Sequence, residues 1–389
     1  MLNFQFYNPA RIIFGKGEEL NVGKYTAQYG KKVLLHYGGG SIKKNGLYDK
    51  VIKALKEENI EVVELGGVCP NPVLSLVRKG IDICKKENID FILAVGGGSV
   101  IDSAKAISVG AKVDEDIWEY FKDRKKEIKE TVPIGVILTI PATGSESSTS
   151  SVITNEENLF KRSISSTKYI PKFSILNPEL TYTLPSYQTA CGCSDILSHL
   201  MERYFTLVEN VDFTDRLLEA SMKTVINNAP LAIENPTDYN VRAEIMWVGT
   251  LAHNGLLNTG RIGDWASHYI EHELSALYNL THGAGLSIIT PAWMKYVYKE
   301  NPDKFLQFAH RVFDVDFAYN EKEKTINEMI KRLENWYKSL GLPTRLHEVN
   351  IDNSNFEEMA EKCLVGRGLT GNFKKLDKKD ICNIYELAL

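Results

Sequence analysis

The sequence predicts an α/β domain built on a parallel sheet over residues 1–180, followed by an all-helical domain over residues 181–389. Three observations carry this. Short apolar runs alternate with helical spacing through the first half, the pattern of a parallel sheet covered by helices on both faces. Two of those runs end in three consecutive glycines, at 38–40 and 96–98. Beyond Asn177 and Pro178 the strand signals fade and long helical patterns dominate.

Each element follows from its local pattern. Residues 32–37 form a first apolar strand, and an amphipathic helix runs from Ser41 to about Glu58. Residues 60–65 read as a second strand and 77–87 as a helix. The apolar run 91–95 leads through glycines into a helix that starts at Ser99 and ends near Ser108. Residues 133–140 are a further buried strand, and 181–185 a linker. In the second half, 189–206 and 321–339 carry long helical patterns. A short strand over residues 4–7 is expected to pair across a subunit interface.

Composition narrows the function. A chain of 389 residues is long enough for two cores, and 43% hydrophobic with 25% charged residues is ordinary for a globular protein. The net charge of -4 offers no basic field to nucleic acid. The basic runs at 122–126 and at Lys374 and Lys375 have acids in or near them and read as solvated faces. No run approaches about eighteen uninterrupted apolar residues, so no membrane span is expected. The start lacks a basic and then apolar leader, so a cytoplasmic protein is expected. Six cysteines without Cys-x-x-Cys spacing read as reduced thiols, not as a disulfide framework.

The glycine turns point to a dinucleotide. Gly96, Gly97 and Gly98 let a backbone approach phosphate, Ser99 donates a hydrogen bond, and the following helix N-terminus favours an anion. The turn is not Gly-x-Gly-x-x-Gly, so the domain is Rossmann-like, not a standard Rossmann unit. Asp102, one turn into the helix, is expected to face ribose or nicotinamide. Gly38, Gly39, Gly40 and Ser41 follow the first strand where many NAD sites hold an acid. With no acid to repel a 2′-phosphate, and with Lys43 and Lys44 nearby, NADP is the expected cofactor. The loop from Thr139 through Thr143 to Ser148 is rich in hydroxyls suited to ribose and carboxamide.

The second half concentrates metal-binding chemistry. Three of the eight histidines fall between residues 264 and 285. His268 and His272 are four apart and share one helix face, His282 follows in a glycine-containing turn, and Asp195 and His199 form a second pair four apart. One carboxylate and three imidazoles from these groups suit a single divalent metal. A metal beside a nicotinamide implies hydride transfer to or from an alcohol carbon.

The motifs together resemble the iron-containing (group III) alcohol dehydrogenase family, and within it the butanol dehydrogenase branch. The resemblance runs nearly end to end. It rests on residues 14–17, 37–41, 70–72, 96–102, 141–147, 195–204, 263–285 and 290–294, the stretch 263–285 being the most specific. It implies the two-domain architecture shared with dehydroquinate synthase. It implies Asp195, His199, His268 and His282 as ligands of Fe2+, with Zn2+ as the alternative, and His272 beside the metal as a catalytic proton relay. It implies cofactor contacts at Gly38, Gly39, Ser41, Asn71, Gly97, Gly98, Ser99, Asp102, Thr139, Thr143, Lys161 and Thr183. Ser148 is also assigned there, although relatives often carry Asn at that position.

The expected reaction is hydride transfer between NADP(H), with NAD(H) as the alternative, and a short-chain aliphatic aldehyde or alcohol. A homodimer or larger homo-oligomer is implied as well. One rival is a polyol dehydrogenase or a metal-dependent lyase or cyclase on the same fold. A sugar-phosphate substrate would need basic residues near the metal; none lies between Asp264 and His282, although Lys161 and Arg261 remain available. A catalytically dead binding protein is disfavoured because all four ligands are present. Trp265, Leu257 and Trp293 read as helical core before they read as pocket lining.

Overall fold

The computed structural model describes residues 1–123, 125–316 and 321–389. Arg124, in the middle of the basic run at 122–126, lies outside the described residues. The chain divides into two compact units. One comprises Tyr7–Leu184 with Pro236–Met246, the other Met1–Phe6, Pro185–Asn235 and Trp247–Leu389.

The first unit is built on a six-stranded sheet. Its strands are β1 (Arg11–Phe14), β2 (Lys32–Gly38), β3 (Glu61–Val68), β4 (Phe91–Gly96), β5 (Ile134–Leu138) and β8 (Phe173–Leu176), in the spatial order β1-β8-β5-β4-β2-β3. Every pairing in it is parallel. Alternate residues face opposite sides, so Leu34, Ile92 and Val136 enter one core while Val33, Leu35, Leu93 and Ile137 enter the other. Both faces are therefore buried, which is why β4 and β5 read as continuous apolar runs.

Four strands and a break escaped the sequence pattern. β1 and β8 are only four residues long. β6 (Ser150–Asn155) and β7 (Phe160–Ser165) form a separate antiparallel hairpin. The helix expected from Ser41 to about Glu58 is instead two, Ser41–Lys44 and Leu47–Glu57. Asn45 breaks it by accepting a hydrogen bond from the Leu47 backbone N–H at 3.2 Å. The strand expected at residues 4–7 is absent. Those residues are exposed and irregular, and the first strand is β1, which takes its partner from β8.

The second unit is helical. Its site is carried by the helices Ser186–Tyr204, Ala266–Tyr278 and His282–Val297. The last of these packs against both of the others. Gly283 makes one approach feasible, since a Cβ there would lie 2.0 Å from the Cys191 carbonyl oxygen. Ser194 Oγ closes the same contact by donating to the Gly283 carbonyl at 2.7 Å. Leu197, Ile270, Leu274 and Ile288 are fully buried among these helices, each contributing about 1.5–3 kcal/mol. Trp293 packs with Phe205, Phe305 and Phe373, and Leu257 is buried, as core residues do. Among the described residues no helix is long and apolar enough to cross a membrane. All six cysteines are unbridged.

Candidate metal and cofactor sites

In the helical unit, donor atoms from three helices converge on one carboxylate oxygen. Asp195 Oδ1 lies 3.4 Å from His199 Nδ1, 3.7 Å from His268 Nε2 and 3.7 Å from His282 Nε2. Ligands about 2.1 Å from a shared tetrahedral ion sit about 3.4 Å from one another, so this spacing suits a cation at the centre. The ligand atoms of Asp195, His268 and His282 all lie within 4.8 Å of each other. Asp195 Oδ1, His199 Nδ1 and His268 Nε2 are buried without a hydrogen bond, an arrangement that costs free energy unless a cation satisfies it. His282 is the first residue of its helix; the glycine-containing turn expected there is replaced because residues 282–285 continue directly into the helical pattern.

The electrostatics agree with the spacing. Burial pushes His268 down, yet its contacts with Asp195 and Glu202 outweigh that and carry it up to about 9. The field that favours an imidazolium favours a divalent cation. Burial, with His253 and His268 nearby, drives His199 well below the usual histidine range, which keeps its ring neutral and able to donate a lone pair. Burial lifts the Cys191 thiol to about 12, which keeps it protonated where no cation draws off its hydrogen.

In the α/β unit, the strand order reverses between β2 and β4, because the chain passes from β2 out to β3 and returns to the other side of β2. The crevice at the carboxyl ends of such strands is where nucleotides bind in open α/β sheets. The two glycine turns flank it: Tyr37 pairs with Val95, so Gly38 and Gly96 leave adjacent strands. Thr139 joins them by donating its backbone N–H to the Gly96 carbonyl at 3.0 Å. Gly98 opens the helix Gly98–Gly110, and a Cβ on it would meet Thr143 Oγ1 at 2.4 Å. Gly39 and Ser41 are exposed, while Ser99 and Thr143 are half-buried.

Other cofactor residues are held by one another. Lys161 Nζ donates to Asn71 Oδ1 at 3.0 Å, and both are buried. Asp102 accepts from Ser145 Oγ at 2.5 Å and from the Val152 N–H at 3.1 Å, so both its oxygens are engaged within the protein. Ser148 Oγ accepts from Lys105 Nζ at 3.3 Å and is buried. Thr183 is exposed in the turn before the Ser186–Tyr204 helix. No acid stands on the turn after β2. Glu64 of β3 does reach that end of the sheet, accepting from Tyr37 at 2.8 Å and Tyr48 at 2.5 Å and pairing with Lys43 at 3.5 Å.

Residues 9–178 match the family described as iron-containing alcohol dehydrogenase, and residues 189–389 match the C-terminal part of the same family. The chain belongs to the iron-containing alcohol dehydrogenase family. It is 46% identical, over all 389 residues and the whole of the relative, to a probable NADH-dependent butanol dehydrogenase of Bacillus subtilis. It is 37% identical to an NADPH-dependent aldehyde reductase of Escherichia coli, over 95% of each chain. Its fold is similar to that of NADH-dependent butanol dehydrogenase A from Thermotoga maritima, with a TM-score of 0.95 and 42% identity over 100% of this chain and 99% of that one. The chain is thus an alcohol dehydrogenase of this family, and its donor set of one carboxylate and three imidazoles fits the iron the family name implies.

For an iron-containing alcohol dehydrogenase, several neighbours of the site were missed in the sequence. Glu202 and Glu271 stand behind His268 and His282. The His253 ring lies 4.4 Å from that of His199. Trp265, expected in the core, is half-buried with its ring 5.3 Å from His268 and 5.5 Å from His253. Their contacts carry no local signal: Glu202 meets His268 across 66 residues, and His253 meets His199 from another helix. His272 is buried, its ring 5.6 Å from that of His282.

Proposed function

We propose that this protein interconverts short-chain aliphatic aldehydes and primary alcohols, with NADPH as hydride donor in the reductive direction and Fe2+ held by Asp195, His199, His268 and His282. The carrying observation is the convergence of His199, His268 and His282 on a buried Asp195 oxygen that has no hydrogen bond. A divalent cation held there supplies Lewis acidity toward a carbonyl oxygen, and the nicotinamide supplies the hydride.

The chain's residues do the rest. Gly97, Gly98 and Ser99, at the start of the Gly98–Gly110 helix, hold the pyrophosphate through backbone N–H groups and a hydroxyl. Thr139, Thr143, Asn71 and Lys161 orient the cofactor, with Lys161 steadied by Asn71. Asp102 acts behind them by holding Ser145. His272 carries the proton to the product hydroxyl oxygen in reduction and from it in oxidation. Gly38, Gly39 and Ser41 admit a 2′-phosphate because that turn holds no carboxylate.

A second reading, NADH as the working cofactor, is favoured by the pairing of Lys43 with Glu64 and by the names of relatives sharing up to 46% identity. The polyol or lyase alternative is weakened because Arg261 is committed to Asp215 at 2.9 Å and Lys161 to Asn71. Initial rates with butyraldehyde, on protein purified without oxygen, test the reading with each cofactor and with chelator or Fe2+ added. Activity lost to chelator and restored by Fe2+ is expected, with NADPH the more efficient cofactor. No turnover with either cofactor and any metal would defeat it. A homodimer or larger assembly is also proposed, supported by the exposed Phe4 and Phe6, and light scattering checks it.

A further inference from the structure

Two buried carboxylates stand behind the metal-site histidines, and neither belongs to the ligand set. Glu202 lies on the Ser186–Tyr204 helix, which also carries Asp195 and His199. It accepts from His268 Nδ1 at 2.9 Å and from the His268 backbone N–H at 3.0 Å. Its other oxygen accepts from the Trp265 N–H at 2.5 Å. Trp265 sits at φ 69°, a conformation that a bulky residue adopts only when its surroundings impose it. One carboxylate thus secures both the strained start of the Ala266–Tyr278 helix and the ring that projects from it.

Glu271 repeats the arrangement from the other side. It is fully buried, accepts from His282 Nδ1, and accepts from the Ser275 hydroxyl at 2.5 Å. A carboxylate oxygen accepts from the ring nitrogen it faces, so Nδ1 of each ring carries a hydrogen and Nε2 is the nitrogen whose lone pair a bound cation would take. Both Nε2 atoms face Asp195 Oδ1 at 3.7 Å.

We propose that Glu202 and Glu271 are positioning residues that fix the tautomer and ring orientation of His268 and His282, so that both Nε2 lone pairs meet at Asp195. This rests on the metal-centre reading above. Without the carboxylates each ring is free to exchange tautomers and to rotate, and metal binding must then order it. Glu271, His272 and His282 also bring donor atoms within 4.8 Å of one another. Glu271 nevertheless reaches His282 through Nδ1, on the side of the ring away from Asp195, and its two oxygens are occupied by His282 and Ser275. It therefore supports the ligand and does not act as one.

The test uses full-length protein stripped by chelator, with Zn2+ alone titrated against a competing chelating dye. Wild type, Glu202→Gln and Glu271→Gln are each expected to bind one equivalent, the variants roughly 10- to 100-fold more weakly. Both metal-free variants are expected to stay folded, with the lower melting temperature for Glu202→Gln, whose amide can accept through one oxygen only. In zinc-loaded wild type labelled with 15N-histidine, His268 and His282 are expected to show the hydrogen on Nδ1. A hydrogen on Nε2 of either ring overturns the proposal without any variant. Unchanged affinity in both folded variants overturns it, as does complete loss of the bound equivalent, which would make the glutamate a ligand. Wild type that binds no zinc would defeat the metal-centre reading itself.

Discussion

In the helical unit the candidate site is made of side chains: Asp195, His199, His268 and His282 project from three helices, and removing one removes a donor. In the α/β unit it is made largely of backbone at strand ends, where Gly38, Gly96 and Thr139 come side by side because β2, β4 and β5 are neighbours. The same contrast runs through the histidines. His199, His268 and His282 of the helical unit face carboxylates, whereas His36 of β2 is fully buried and neutral, donating from Nδ1 to the Leu65 carbonyl at 2.8 Å and accepting at Nε2 from Ser103 Oγ at 2.9 Å. A site of side-chain donors is fragile to single substitutions. A site of backbone N–H groups tolerates them unless a new side chain fills the cradle.

The largest effect expected from this contrast is at the metal centre. His268→Ala should lose bound metal and reduce turnover by roughly 10³-fold or more, checked by elemental analysis alongside initial rates. Metal-depleted His268→Ala with full activity would break the comparison at its root.

Next comes the pH response of the α/β unit. Burial, partly offset by the bond to Leu65, lowers His36 to about 4 from 6.5. Between those values the unfolded chain binds a proton that the folded chain does not, so stability is full above about 6.5 and falls as pH drops toward 4. The loss attributable to His36 is roughly 3 kcal/mol. Denaturant melts of wild type and His36→Gln across that window should converge at low pH; parallel curves would show that His36 carries no such linkage.

A somewhat smaller effect is expected at Lys105. Its ammonium donates to Ser145 Oγ at 2.9 Å, to the Ser148 carbonyl at 2.9 Å and to the Ser150 carbonyl at 2.8 Å, fastening the hydroxyl-rich loop to the Gly98–Gly110 helix. Burial lowers this lysine to about 8 against the pull of Asp102 and Glu146. Lys105→Met should cost about 2–3 kcal/mol of stability and weaken cofactor binding while leaving zinc stoichiometry intact. Equal loss of zinc would show that the two sites are not built independently.

The smallest effect sharpens the backbone half of the contrast. Gly98→Ala places a Cβ 2.4 Å from Thr143 Oγ1 and should cost about 1–2 kcal/mol in cofactor binding. Adding Thr143→Ala should recover part of it, as read by quenching of protein fluorescence on titration with NADPH. No recovery would mean that Gly98 is needed for its backbone conformation and not for space.

Much of this was readable along the chain. The strands at 32–37 and 91–95 announced themselves because burial on both faces makes them largely apolar. β1 and β8 did not, since four residues carry too little pattern and owe their pairing to neighbours. Asp195 with His199, and His268 with His272, were visible because i,i+4 spacing is a property of the helix itself. Glu202 was not, because it meets His268 across 66 residues, and no local pattern connects a glutamate to a histidine that far away.

By itself, the sequence determined the chemical inventory: two glycine turns after apolar strands, one carboxylate and three imidazoles at helical spacing, and no basic field. Local backbone geometry is enough to carry each of these. Only the tertiary structure decided which turns share a crevice, that the Nε2 of His268 faces Asp195, and which nitrogen of His268 and His282 faces a glutamate. Those outcomes depend on atoms from distant segments meeting within a few ångströms, and it is the packing of helices and the order of strands that brings them together.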